Sequence, residues 1–123
     1  MKIKNKILVI ENDPILAKNI SSLIWQNGLV LTDCVPYPVN AIRSADLNPP
    51  DLVIVDAFIS EQVSNFFVKF ICKPTIIITD QIEEDILQFQ SSMDIQVIVH
   101  KPVDFSELSV KTIAAIDKLN YPS

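Results

Sequence analysis

Five short apolar runs punctuate the chain: 7–10 (ILVI), 29–31 (LVL), 52–55 (LVIV), 75–78 (TIII) and 95–99 (IQVIV). Three of them are nearly continuous and β-branched, the pattern of strands buried on both faces, as in a parallel sheet. The segments between them read as helices. Residues 14–26 follow Asp13, a good N-cap, and open with Pro14 at the first helical position. Ile15, Leu16, Ile20, Leu23 and Ile24 fall at helical spacing, and Gly28 can close the helix. Residues 39–47 form a shorter candidate, ended by Asn48, Pro49 and Pro50. Residues 60–71 carry Val63, Phe66, Phe67 and Phe70, and residues 81–91 start behind Asp80 with Glu83 three positions on, as in a capping box. Residues 104–119 carry Leu108, Ile113, Ile116 and Leu119, with Asp104 or Ser106 as the cap. Five βα units in succession predict an α/β fold: a parallel sheet with helices on both faces. Residues 118–123 read as a frayed tail.

Length and composition narrow the class. The 123 residues suffice for one hydrophobic core and are too few for two, so residues 1–123 are expected to form a single domain with its core at about 5–119. Hydrophobic residues make up 49% and charged residues 20%, a globular balance. The formal net charge of −5 repels a phosphate backbone, so direct nucleic-acid binding is not expected. Cys34 and Cys72 form no CxxC pair, which argues against a disulfide framework or a zinc site and for buried free thiols in a reducing cytosol. The polar stretch before Ile7 reads as neither a signal peptide nor a lipidation motif. No apolar run approaches the roughly 20 residues that a membrane span needs. The expectation is a soluble, cytoplasmic protein with no membrane contact.

In an open parallel sheet, ligands bind beyond the carboxyl ends of the strands. The residues there are Glu11, Asn12 and Asp13 after the first run, Asp56 after the third, Thr79 and Asp80 after the fourth, and Lys101 after the fifth. Such a set can bind Mg²⁺ through oxygens, present a carboxylate nucleophile and neutralise a phosphoryl group. A small-ligand site of flavodoxin type would need phosphate-cradling loops, and the one glycine, Gly28, does not follow a strand.

With KILVIEND (6–13), PDLVIVD (50–56), TIIITD (75–80) and VIVHKP (97–102) in this order, the chain resembles the receiver domains of two-component response regulators over nearly its whole length. The spacings fit as well: Glu11 to Asp56 is 45 positions and Thr79 to Lys101 is 22. The resemblance implies a flavodoxin-like, doubly wound (βα)5 sandwich with a five-stranded parallel sheet of order 2-1-3-4-5. It implies that Asp56 is the phosphoacceptor, attacking a phosphohistidine on a partner histidine kinase or phosphotransfer protein. Glu11, Asn12, Asp56 and the backbone carbonyl of Phe58 would hold Mg²⁺. Lys101 would pair with the phosphoryl oxygens, Thr79 would turn its hydroxyl toward them, and the Lys101–Pro102 peptide would be cis. The chemistry implied is at most self-phosphorylation and autodephosphorylation at Asp56, read by an output domain or partner protein. The chain would be a stand-alone regulator or a receiver excised from a larger protein.

Structural roles compete for several of these residues. Asp13 is the obvious cap of the first helix, Asp80 can cap the fourth, and His100, the only histidine, alternates away from Lys101 toward the surface. The chain also departs from the family pattern at four places. Asn12 stands where the family usually has Asp, which lowers the Coulombic attraction for Mg²⁺. Asp80 stands where a small residue is usual. The 23 positions from Asp56 to Thr79 are fewer than usual, and Met-Pro is missing after Asp56. Ile98 stands at the usually aromatic switch position. These departures suit an alternative: a degenerate receiver acting as a phosphorylation-independent interaction module.

Overall fold

Each of the five apolar runs becomes a strand. The structure, a computed structural model, describes residues 2–56, 73–80, 84 and 93–122. Strands β1 (Lys6–Ile10), β2 (Val30–Val35), β3 (Leu52–Asp56), β4 (Pro74–Thr79) and β5 (Asp94–His100) form one sheet of order β2-β1-β3-β4-β5. Every neighbouring pair is parallel. The central strands are those with the most continuous runs: β4 is buried along its whole length, and β3 is buried up to Val55. Strand β2 runs four residues past the predicted 29–31. Thr32 and Asp33 interrupt its apolar pattern because an edge strand keeps one side toward water, yet the ladder to β1 continues to Val35. A register shift falls between Ile7 and Leu8 on that ladder, and another between Thr75 and Ile76 at the β5 edge. Such irregularities blunt both edges against further strand pairing.

Helix α1 (Pro14–Gln26) has the predicted bounds, α2 (Pro38–Leu47) starts one residue earlier than predicted, and α3 spans Phe105–Asn120. Asp13 caps α1, its Oδ1 accepting the N–H groups of Ile15 (2.9 Å) and Leu16 (3.3 Å). Gly28 takes φ +71 just past the helix, the left-handed turn that a side chain would oppose. Asp104, not Ser106, caps α3, with Oδ1 accepting from Ser106 N (2.9 Å) and Glu107 N (3.2 Å). Its loss leaves two N–H groups without that acceptor. Asp104→Ala should therefore lower stability by about 1 kcal/mol, seen as a lower urea midpoint at unchanged slope. The predicted helices over 60–71 and 81–91, with Cys72, lie outside the described residues, apart from Glu84, which is helical and exposed.

The sheet has a core on each face. On one, Leu8, Ile10, Val53, Val55 and Ile77 pack with Ala41 and Ala45 of α2. On the other, Ile7, Val9, Ile54, Ile76 and Ile78 meet Ile20, Leu23 and Ile24 of α1 and Leu108 and Ile116 of α3. Ile15, grouped above with the apolar stripe of α1, is instead exposed, as is Trp25. The tail is also better held than the frayed reading of 118–123. Helix α3 continues to Asn120, whose Nδ2 donates to Lys4 O and whose Oδ1 accepts from Lys4 N, both at 2.8 Å. Cys34 is a free thiol as expected, but half-buried rather than buried. Among the described residues no helix is long and apolar enough to cross a membrane.

Candidate functional site

The carboxyl ends of β1, β3, β4 and β5 deliver four of the predicted residues to one place. Asp56 ends β3, and its side chain is only 8% exposed. Lys101 follows β5 directly, and its Nζ donates to Asp56 Oδ2 at 2.5 Å. The Lys101 backbone N–H donates to Thr79 O (2.8 Å), which ties the residue after β5 to the end of β4. The Lys101–Pro102 peptide that follows is cis. Thr79 itself is fully buried at the end of β4. Glu11 follows β1, with its N–H donating to Val35 O at 2.9 Å. It is only 4% exposed, unusual for a carboxylate with no salt bridge among the described residues.

The electrostatics of Glu11 follow from that burial. Its Oε1 accepts the Asp13 N–H at 2.9 Å, while its Oε2 is buried without a hydrogen-bond partner among the described residues. Burial first, then the neighbouring Asp56 carboxylate, pushes its pKa up to about 7, against the opposing pull of the Asp13 N–H and the Lys101 ammonium. Lys101 moves upward too. Burial opposes its charged form, but the hydrogen bond to Asp56 and the negative charges of Asp56, Glu11 and Asp80 outweigh that opposition.

Asn12 is exposed, one residue past the buried Glu11, where the chain turns toward α1. Asp13 is committed to capping, and His100 is exposed as its alternation predicted. Phe58 lies outside the described residues, as do the partners that the capping reading of Asp80 requires. Ile98 is half-buried and packs with the core on the α2 face. Among the described residues no group of three His, Cys, Asp or Glu could hold a metal. The pair Glu11 and Asp56 nevertheless suits a hard divalent cation. Mg²⁺ commonly takes one or two protein carboxylates and keeps several waters. An orphaned, buried carboxylate oxygen is the group such an ion would satisfy. The negative charge of Asp80 acts on Lys101 because β4 and β5 are neighbours, as the expected strand order has them.

Solved structures share this fold over most of the chain. A two-component response regulator from Clostridium difficile superposes with a TM-score of 0.83, covering 96% of this chain and 100% of its own at 20% identity. The signal receiver domain of an HD domain-containing protein from Pseudomonas fluorescens Pf-5 also gives 0.83, covering 95% and 98% at 16% identity. A response regulator receiver domain protein from Clostridium thermocellum gives 0.77, covering 94% and 97% at 22% identity. The fold is that of a receiver domain. No protein-family model and no curated protein matches the chain at the level of sequence. In this fold the four strand-end residues Glu11, Asp56, Thr79 and Lys101 come together.

Proposed function

We propose that residues 1–123 form one receiver domain of a two-component phosphorelay, with Asp56 accepting a phosphoryl group from a phosphohistidine on a partner histidine kinase or phosphotransfer protein. The observation that carries this reading is the Lys101–Asp56 contact at 2.5 Å beside the buried Glu11. An Asp56 oxygen attacks phosphorus, the P–N bond of the donor breaks, and the product is an acyl phosphate. Lys101 is a point charge already at the acceptor, able to move its hydrogen bond from Asp56 Oδ2 to a phosphoryl oxygen. Glu11 and Asp56 would hold Mg²⁺, with Asn12 and the Phe58 carbonyl as further oxygen donors. Bound Mg²⁺ would neutralise charge on the transferring phosphoryl group. Thr79, at the end of β4 beside Lys101, is suited to sense the phosphoryl group through its hydroxyl. The chain's own chemistry would be self-phosphorylation and autodephosphorylation, and an output domain or partner protein in the cytoplasm would read the result.

The exposed Asn12 and the two-carboxylate metal set favour a second reading, a phosphorylation-independent interaction module. Intact-mass measurement after incubation with acetyl phosphate and Mg²⁺ separates the two. The phosphoacceptor reading expects a gain of one phosphoryl group that disappears in Asp56→Asn. No gain at any Mg²⁺ concentration would leave the interaction module.

A further inference from the structure

Glu11 is anchored twice. Its backbone N–H donates to Val35 O at 2.9 Å, and its side-chain Oε1 accepts the Asp13 N–H, also at 2.9 Å. Its Oε2 is left buried without a hydrogen-bond partner among the described residues, on a residue only 4% exposed. The Asp13 N–H thus occupies one carboxylate oxygen and leaves the other. Asp13 is itself held by the first turn of α1. Its Oδ1 accepts the N–H groups of Ile15 (2.9 Å) and Leu16 (3.3 Å), and its carbonyl accepts the Ala17 N–H at 2.8 Å. Pro14 restricts the residue before it to extended backbone, and Asp13 complies with φ −80 and ψ 114. The cap therefore fixes the backbone whose N–H meets Glu11. One residue joins the start of α1 to the buried carboxylate.

We propose that Asp13 is a positioning residue for divalent-cation binding: by capping α1 it holds its own N–H on Glu11 Oε1 and so keeps Glu11 Oε2 available to the ion. This rests on the Mg²⁺-assisted phosphoacceptor reading above. The Asp13 side chain is spent on the cap and is not a ligand. Its contribution is one aimed donor and a fixed backbone. An N–H on a carboxylate favours the ionised form, the form that attracts a cation. A Glu side chain already held in one rotamer also loses less conformational freedom when it binds. Without the cap, the Asp13 N–H is no longer held on Oε1. Glu11 can then turn to relieve its repulsion from the neighbouring Asp56 carboxylate, and the ion loses a prepared oxygen.

The test is the Mg²⁺ dissociation constant, read from amide NMR shifts during titration with Mg²⁺ alone. Wild type is compared with Asp13→Ala, Asp13→Asn and Asp104→Ala at about 0.15 M salt, which limits the effect of a lost charge as such. Asp13→Ala should weaken binding about tenfold, the lower end of the loss seen when a group that orients a metal ligand is removed. Asp13→Asn gives up the same charge but keeps a cap acceptor, and Asn and Asp cap about equally well, so it should stay close to wild type. Asp104→Ala removes the corresponding cap from α3 and should leave the constant unchanged. Equal losses in Asp13→Asn and Asp13→Ala would assign the effect to charge and overturn the proposal. An equal loss in Asp104→Ala would assign it to general loosening and do the same, as would an unchanged constant in Asp13→Ala. Should Asp13→Ala fail to fold, Asp13→Gly lacks the same acceptor, is far milder at a cap, and is held to the same tenfold loss. If wild type itself shows no response to Mg²⁺, the metal-assisted reading fails and this proposal with it.

Discussion

Glu11→Gln should stabilise the metal-free protein at pH 8 by roughly 2–3 kcal/mol, an upper range set by the pKa displacement of Glu11 and reduced by any solvent that reaches it. The carboxylate is 4% exposed, has one oxygen without a partner among the described residues, and has a pKa pushed up to about 7 from an ordinary 4.5. The direction follows from proton counts. Between pH 4.5 and 7 the folded protein holds a proton on Glu11 that the unfolded chain has released, so stability falls as pH rises through that window. Below pH 4.5 both states are protonated and the penalty vanishes; above 7 it is complete. Lys101 adds nothing to this window. Its raised pKa confers stability that is present below 10.5 and lost only at higher pH.

Urea midpoints of wild type and Glu11→Gln from pH 5 to 8 check this. The wild-type curve should decline across the window more steeply than that of the variant, and the two should converge toward pH 5. Parallel profiles would show that Glu11 is not the group being desolvated. Metal reverses the ranking. Deprotonated Glu11 is the form that attracts a divalent cation, so Mg²⁺ should stabilise wild type, with an apparent affinity that rises up to tenfold per pH unit below about 7 and levels off above it. Glu11→Gln should lose most of that response. The buried carboxylate is thus a local cost to the fold, retained at the place where the proposed chemistry needs negative charge.

What could be read from sequence, and what could not, divides along the same physical line. Strands β1, β3 and β4 are buried on both faces, so their positions announce themselves as unbroken β-branched runs. The edge strand β2 is half-exposed, and Thr32 and Asp33 hid its second half. Helix α1 was bounded exactly because Asp13, Pro14 and Gly28 act locally. The hold on the C-terminal end was invisible because it depends on Asn120 meeting Lys4, 116 residues away. Within the site, Glu11, Asp56, Thr79 and Lys101 were legible as the first polar groups after apolar runs. Topology then brings those strand ends together. Asn12 belongs to the same set by position, and the difference in burial between it and Glu11, one exposed and one buried, is not visible in the sequence. The same blindness covers the orphaned Glu11 Oε2, since whether a carboxylate oxygen lacks a partner depends on everything packed around it.

Ile54→Ala should cost about 3–4 kcal/mol, within the range for large-to-small core changes and a large share of the roughly 5–15 kcal/mol that holds a typical domain together. Ile54 is 1% exposed on β3, which is paired to β1 on one side and β4 on the other. Backbone ladders on both flanks limit how far the sheet can close on the void, so the cavity term adds to the lost transfer energy. Trp25→Ala removes a larger side chain yet should change stability by no more than about 0.5 kcal/mol, because Trp25 is 75% exposed and its ring already faces water. Urea unfolding followed by circular dichroism tests both, since Trp25 is the only tryptophan and its replacement removes indole fluorescence. If Trp25→Ala destabilised the protein as much as Ile54→Ala, the indole would have to be covered in solution. If Ile54→Ala were neutral, β3 would not be the closely packed strand that holds Asp56 against Lys101, and labelling of Asp56 should then survive the loss of rigid packing beneath it. The expected result is the reverse: a destabilised sheet whose acceptor labels more slowly at temperatures where the wild type is fully folded.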